Sequence, residues 1–306
     1  METLELIAEA SGVRIDKYLS EVTDLSRSRV QTLCEEGKIL ADGTPAKSSL
    51  KVTEGMRIIA EIPEDEPLDV KAEDIPLDIL YEDADIIVVN KPKGMVVHPA
   101  AGVYSGTLVN ALLFHCKDLS GINGVLRPGI VHRIDKDTTG CIVACKNDLA
   151  HNAIAEQLKD KTCHREYLAL CDGVIEHEQG EINAPIGRDP KERKRMTVID
   201  KNSKEARTFF TVKERFANHT LVDCRLETGR THQIRVHMKY IHHPVTGDPV
   251  YGTSCRYMDT QGQVLHACQL SLVHPRTHEA MTFTAPLPAY FEELLEILRN
   301  EEHIED

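Results

Sequence analysis

Asp135 is the residue whose surroundings are best suited to chemistry. It stands in His132-Arg133-Ile134-Asp135-Lys136-Asp137-Thr138-Thr139-Gly140, followed by the apolar run Cys141-Ile142-Val143-Ala144-Cys145. That run alternates too little to face water on one side, so it predicts a buried strand. Gly140 supplies the positive φ that a tight entry to such a strand demands. A carboxylate at a strand mouth, flanked by Arg133 and Lys136, is ionised and aimed outward. That suits a nucleophile or an ion-pair anchor, although a lone Asp between bases is more often a solvated loop.

Other chemistry-bearing residues follow along the chain. Arg230, in Thr228-Gly229-Arg230-Thr231-His232-Gln233-Ile234-Arg235-Val236-His237, precedes a helix expected over 232–240 with Thr231 as its cap. From there it can reach into a cleft and pair bidentately with a carboxylate. Tyr167, in the strand Arg165–Leu170, reads as a half-buried aromatic. Lys91 and Lys93 flank a turn, where they touch phosphate or are merely solvated. Arg188, Lys191, Arg193, Lys194 and Arg195 form a basic loop that can track an RNA backbone. His232, His237, His242 and His243 lie close together, but lack His-x-x-x-His spacing around a glutamate and adjoining Asp or Cys ligands, so no metal site is expected.

The elements that position these residues fall into two units. In residues 13–62, Ile15, Tyr18 and Leu19 share one helical face. A second helix begins at Ser26, its expected N-cap, and stops at Gly37. Short strands at 38–41 and 57–60 lie around the turn Asp42-Gly43. Arg27 and Arg29 sit at the start of the second helix, where its positive end reinforces attraction for phosphate. Residues 63–78 are rich in proline and acids and read as a linker. Residues 79–300 form the larger unit. Its strands are expected at 85–90, 165–170, 205–215, 219–226, 265–273 and 281–284. Helices are expected at 107–115 and from Asn147 or Asp148 to 159, the latter with Leu149, Ile154 and Leu158 inward, and at the chain end with Phe291, Leu294, Leu295 and Leu298 at core spacing.

Composition bounds the partners. The net charge of −13 is segregated: residues 61–85 carry eleven acids against one base, and 292–306 seven acids against one Arg. Residues 86–291 hold 26 Lys and Arg against 21 Asp and Glu, so the larger unit is net basic. No run approaches the 18 apolar residues of a spanning helix and the start lacks an apolar signal core. Nine scattered cysteines without a C-x-x-C pair argue for a reducing cytoplasm.

The opening motif closely resembles the active-site signature of RluA/RluD-type pseudouridine synthases, departing only in Ile134, where Leu is usual. Residues 90–94 with His98-Pro99, Arg165–Ala169 and Thr228–His237 are similar to further elements of that family, over roughly residues 79–290. Residues 13–62 resemble an S-four-type RNA-binding domain through Arg-x-Asp-Lys-Tyr-Leu, Ser-Arg-Ser and Gly-Lys-Ile, with Asp42-Gly43 where Asn-Gly is usual. The resemblance implies an α+β protein: a small N-terminal α/β RNA-binding module, then a catalytic domain on a mixed, mainly antiparallel sheet with flanking helices and a central cleft. It implies a monomeric, cytoplasmic, cofactor-free isomerase that converts specific uridines to pseudouridine, in large-subunit (23S) ribosomal RNA, away from membranes. Asp135 is then the catalytic carboxylate, acting on the sugar or the base. Arg230 holds it, Tyr167 lies under the uracil and helps remove the carbon 5 proton, and Arg133 occupies the vacated stack. Arg27, Arg29 and Lys91 contact RNA. The rivals are a non-catalytic ribosome-assembly factor and a glycoside hydrolase pairing Asp135 with Asp137, whose i, i+2 spacing points the two carboxylates apart.

Overall fold

The chain divides into units of residues 1–69 and 70–306, each with its own buried apolar residues. The computed structural model describes residues 2–23, 25, 27–62, 70–99, 102–116, 119–120, 128–192 and 195–302. The expected cap Ser26 and the basic residues Arg193 and Lys194 lie outside these.

The first unit comprises β1 (Glu2–Ile7), α1 (Ile15–Val22), α2 (Arg27–Glu35), β2 (Ile39–Ala41), β3 (Thr44–Pro45) and β4 (Arg57–Ile62). Its antiparallel sheet runs β1-β4-β2-β3. Ile15, Tyr18 and Leu19 are buried as their spacing requires, against Val30, Leu33, Ile39 and Ile58. Each large aliphatic among them contributes roughly 1.5–3 kcal/mol by leaving water. Asp42 and Gly43 both take positive φ (48° and 80°), the hairpin-turn geometry, and fold β2 onto Thr44–Pro45. The 57–60 strand pairs on the other edge of β2. The unit starts earlier than residue 13: Leu4 and Leu6 flank Glu5, and β1 pairs β4 with Leu4 opposite Ala60.

The second unit contains β5 (Ile79–Glu82), β6 (Ile86–Lys91), α3 (Leu108–His115), β7 (Thr139–Cys145), α4 (Asp148–Lys159) and β8 (His164–Asp172). Then come β9 (Gln179–Asn183), β10 (Ile186–Arg188), β11 (Met196–Val198), β12 (Ser203–Lys204), β13 (Arg207–Phe216) and β14 (His219–Leu226). It ends with α5 (Gln233–Tyr240), β15 (Leu265–Val273), β16 (Ala280–Thr284) and α6 (Ala289–Glu302). The large sheet runs β5-β6-β7-β15-β8-β14-β13-β9, with β16 on β15. Only the β7–β15 pairing is parallel among the described residues, so the α+β, mixed and mainly antiparallel expectation holds. A small sheet, β11-β10-β12, stands apart and packs on α5 through Ile186, Val236 and Tyr251.

One boundary and one helix face differ from expectation. Val70, Ile75 and Leu77 pack on the second core, and Asn110 Nδ2 donates to the Lys71 carbonyl, so 70–78 belong to the larger unit rather than to a linker. In α4, capped by Asn147, the buried positions are Ala150, His151 and Ile154; Leu149 faces water. No helix among the described residues is long and apolar enough to cross a membrane.

Candidate active site

The loop that carries Asp135 is fastened at nearly every other residue. The His132 ring Nε2 accepts the Val143 N–H, and burial drives this imidazole down to about 3, so it is neutral. Ile134 is buried in the main core. The Lys136 carbonyl accepts from Lys91 Nζ, Thr138 Oγ1 from Gln263, and Thr139 Oγ1 bonds the His266 ring. Gly140 has φ 107°, and a Cβ there would lie 2.2 Å from the Ala267 carbonyl oxygen, so both the turn and the β15 contact require glycine. The residues left to face outward include Arg133 and Asp135.

They face a cavity of about 470 Å³ lined by Asp135, Tyr167, Arg133, Arg165, Arg230, Arg235, His232 and Lys159, a volume in the range of small-ligand sites. Asp135 is the one carboxylate in that lining among the described residues, against four arginines and a lysine. Asp137 is not in it, which removes the paired-carboxylate geometry of a glycosidase.

The arginine that holds Asp135 is Arg235, and this corrects the expectation for Arg230. Arg235 Nη1 donates to Asp135 Oδ2 at 2.8 Å, while its Nε and Nη2 grip Asp248 at 2.6 and 2.9 Å. Asp248 is fully buried and also accepts the backbone N–H groups of Val250 and Tyr251. One face of the guanidinium is thus spent on Asp248, and a single N–H is aimed at Asp135. The two carboxylates raise Arg235 further above its usual value despite its burial, so it stays charged. Arg230 lines the same cavity, with Nε donating to the Glu205 carbonyl.

Local folding explains the exchange. His232, not Thr231, is the N-terminal flanking residue of α5, with φ 57°, a left-handed conformation that non-glycine residues adopt in only a few per cent of cases, Asn, Asp and His more often than others. Thr231 Oγ1 instead accepts from Arg133 Nη2 at 3.0 Å. The buried Gln233 side chain braces the turn, accepting from the Arg230 N–H and the Thr228 hydroxyl and donating to Arg207 O and Thr208 Oγ1. This entry turns the third helical residue, Arg235, inward.

Tyr167 on β8 is buried beside Ala169, and desolvation pushes its phenol up to about 12. Lys91 is fully buried: its Nζ donates to the carbonyls of Pro92, Met95 and Lys136 at 2.8–2.9 Å. Burial lowers it to about 7 against the pull of Asp137 and Asp135. A phosphate cannot reach it, so the RNA-contact expectation for Lys91 fails; Lys91 anchors the Asp135 loop instead. Lys93 is likewise engaged, with the carbonyls of Thr260 and Gln263 and the face of Tyr290. Arg27 is half exposed but paired with buried Asp16 at 3.2 Å, and Arg29 begins the same helix, α2.

The clustered histidines have separate duties. His237 bonds Thr208 Oγ1 and the Ala184 carbonyl, and His243 the Asp172 carbonyl. Arg165 is a residue the sequence reading passed over. It lines the cavity, and among the described residues no carboxylate pairs with it and its buried Nε has no hydrogen-bond partner. Gly229 makes room for it, since a Cβ there would lie 2.6 Å from its Nη1. The only sequence signal was its place two residues before Tyr167.

Comparison with known proteins gives the family of the chain that carries this site. Residues 85–240 match the family model described as RNA pseudouridylate synthase, and residues 13–58 match the S4 domain. The chain is 54% identical over 292 residues to a protein of Bacillus subtilis (strain 168) named uncharacterized RNA pseudouridine synthase YlyB, covering 95% of this chain and 96% of that one. It is 42% identical over 305 residues to the ribosomal large subunit pseudouridine synthase D of Neisseria meningitidis serogroup B, covering 96% and 80%. Among solved structures, Human RNA Pseudouridylate Synthase Domain Containing 4 superposes with a TM-score of 0.56 at 25% identity, over 72% of this chain and 92% of that one. A cationic cavity around one arginine-held aspartate and a buried tyrosine thus sits within a chain that belongs to the RNA pseudouridylate synthase family, carries an amino-terminal S4 domain, and is an isomerase acting on RNA.

Proposed function

We propose that the protein isomerises specific uridines of large-subunit (23S) ribosomal RNA to pseudouridine, with Asp135 as the catalytic carboxylate. The observation that carries this reading is the half-held state of Asp135, which lines the cavity: Arg235 fixes Oδ2, while Oδ1 accepts no hydrogen bond from the described residues. The relatives named large subunit synthase D supply the RNA class.

The reaction breaks the bond between N1 and C1′, turns the uracil, forms the bond from C5 to C1′, removes the C5 proton and leaves a proton on the freed N1. It is redox-neutral, so the chemistry needs no cofactor or metal, and the protein acts as a cytoplasmic monomer. Asp135 acts on the ribose or the base from its open oxygen. Tyr167 offers an aromatic face beneath the uracil; its elevated phenol opposes the proton-removal role until a proton is first taken from it. Extruding the target from a helix costs a few kcal/mol. Arg133, exposed beside Thr231, fills the vacated space. Arg165 and Arg230 meet phosphates at the cavity, and Arg27 and Arg29 do so at the S4 domain, which offsets that cost.

The test is to incubate the purified protein with unmodified large-subunit ribosomal RNA and map pseudouridine by chemical probing. New pseudouridines at a small set of positions are expected. Their absence there, with modification of transfer RNA instead, overturns the substrate assignment.

A further inference from the structure

Asp135 Oδ1 has one polar neighbour that the mechanism has not used. His232 Nε2 stands 3.9 Å from it, while Arg235 holds the other oxygen, Oδ2. The ring's other nitrogen, Nδ1, lies 2.8 Å from the Tyr251 hydroxyl. That hydroxyl accepts the Met196 backbone N–H at 2.9 Å. Its own proton is therefore free to go to His232 Nδ1, which makes Nδ1 the acceptor and leaves the proton of the neutral ring on Nε2, toward Asp135. The ring is held edge-on to Tyr251, with centroids 5.6 Å apart. Its backbone is in the left-handed region, a conformation that costs energy and persists only where the surroundings impose it.

We propose that His232 is a positioning residue for catalysis: its Nε2–H, set by Tyr251, steers the free oxygen of Asp135 and closes on it when a nucleotide fills the cavity. The inference rests on Asp135 being the catalytic carboxylate. Tyr251 is the joint of the device. Arg235 lies over one part of its ring at 5.1 Å and Arg195 at 5.6 Å, and its hydroxyl is pinned by β11, the strand that leaves the basic loop. The end of the basic loop and the catalytic carboxylate are thereby linked through two side chains.

The groups facing His232 are Asp135, Asp248, Arg235, Arg133 and Tyr251. Burial lowers its affinity for a proton, with Arg235 and Arg133 in the same sense and the two carboxylates against it. The neutral ring is thus the working form near neutral pH. Protonation turns Nδ1 from acceptor to donor, breaks the relay from Tyr251, and makes the ring a second cation on Asp135. Activity should fall with acid as His232 titrates.

Three variants test this in the full-length protein, with a ribosomal RNA fragment that it modifies. Tyr251→Phe removes only the hydroxyl and is expected to lower kcat about tenfold, the worth of one net hydrogen bond, with RNA affinity within twofold. His232→Ala should lose as much or more. His232→Asn, which tolerates the left-handed backbone and keeps a donor, should recover part of the rate and lose the acid limb due to the histidine. Independently of activity, nitrogen-15 spectra of the histidines, with His232 assigned by its loss in His232→Asn, should show an unprotonated Nδ1 at neutral pH in the wild type and a mixed tautomer in Tyr251→Phe. A wild-type kcat and pH profile in Tyr251→Phe and His232→Ala, or a protonated Nδ1 in the neutral ring, overturns the proposal. If Asp135→Asn kept turnover, the underlying assignment would fail instead, so the two failures are separable.

Discussion

Asp16 in the S4 domain and Asp135 in the catalytic unit are both carboxylates held by arginine, and they are held differently. Asp16 is inaccessible; Arg14 grips both of its oxygens at 3.0 and 2.9 Å, Arg27 adds an ion pair and Gln31 a hydrogen bond at 2.7 Å. Asp135 keeps a quarter of its side chain exposed, with Oδ2 bonded and Oδ1 unbonded among the described residues. A saturated carboxylate has no valence left for a ligand, so it fixes structure. A half-saturated one, oriented but unfinished, is fitted to react.

Arg235→Gln strikes that difference hardest. It frees Asp135 and strands the buried Asp248, and removing one partner of a buried pair costs roughly 3–5 kcal/mol. A loss of stability by chemical denaturation is expected, with pseudouridine formation down by at least about 10²-fold. Stability and turnover close to wild type would show that Arg235 is dispensable.

Deleting residues 1–69 asks whether the other region supplies affinity rather than chemistry. Filter binding across a salt series should show weaker RNA binding, with the slope of log affinity against log salt reduced by about two. Isomerisation should survive at high enzyme concentration, because Asp135, Tyr167 and Arg235 all remain. An unchanged slope would locate the phosphate contacts entirely in the larger unit.

Asp16→Asn should be a pure stability change, lowering the thermal midpoint of the S4 domain by about 5 °C with kcat intact. The sign of its pH dependence follows from Arg14, Gln31 and Arg27, which hold the Asp16 carboxyl well below the usual carboxylate range. The stabilisation is complete above the unfolded value of about 3.9 and is lost as pH falls from there toward the folded value. The variant should lack that acid-induced loss; an equal loss in both proteins would assign it to another carboxylate. The smallest effect is expected for Arg230→Gln, whose guanidinium holds only the Glu205 carbonyl among the described residues. A rise in KM below about fivefold, at unchanged kcat, separates it from Arg235.

What could be read in the sequence was local. The Asp135 loop, the all-buried strand after it and the Tyr167 strand declare themselves within a few residues, through charge, periodicity and Gly140. Choosing Arg235 over Arg230 required the left-handed turn at His232, which sets the direction of α5, and Asp248, which arrives thirteen residues later from a separate loop. Lys91 looked like a surface cation because nothing adjacent shows that three carbonyls, one of them from residue 136, enclose it. β1 was missed because its alternation is short and acidic, and only pairing with β4 makes it a strand.

Asp135→Asn is the most direct trial of the whole account. The amide preserves the shape of the loop while removing the charge and the reactive oxygen. Pseudouridine is measured by mass spectrometry of a ribosomal RNA fragment that the wild type modifies, alongside the affinity of each protein for the same fragment. The expected result is a folded protein with RNA affinity within a few-fold of wild type and no product above background. Turnover by the folded variant within tenfold of wild type would contradict the assignment of Asp135.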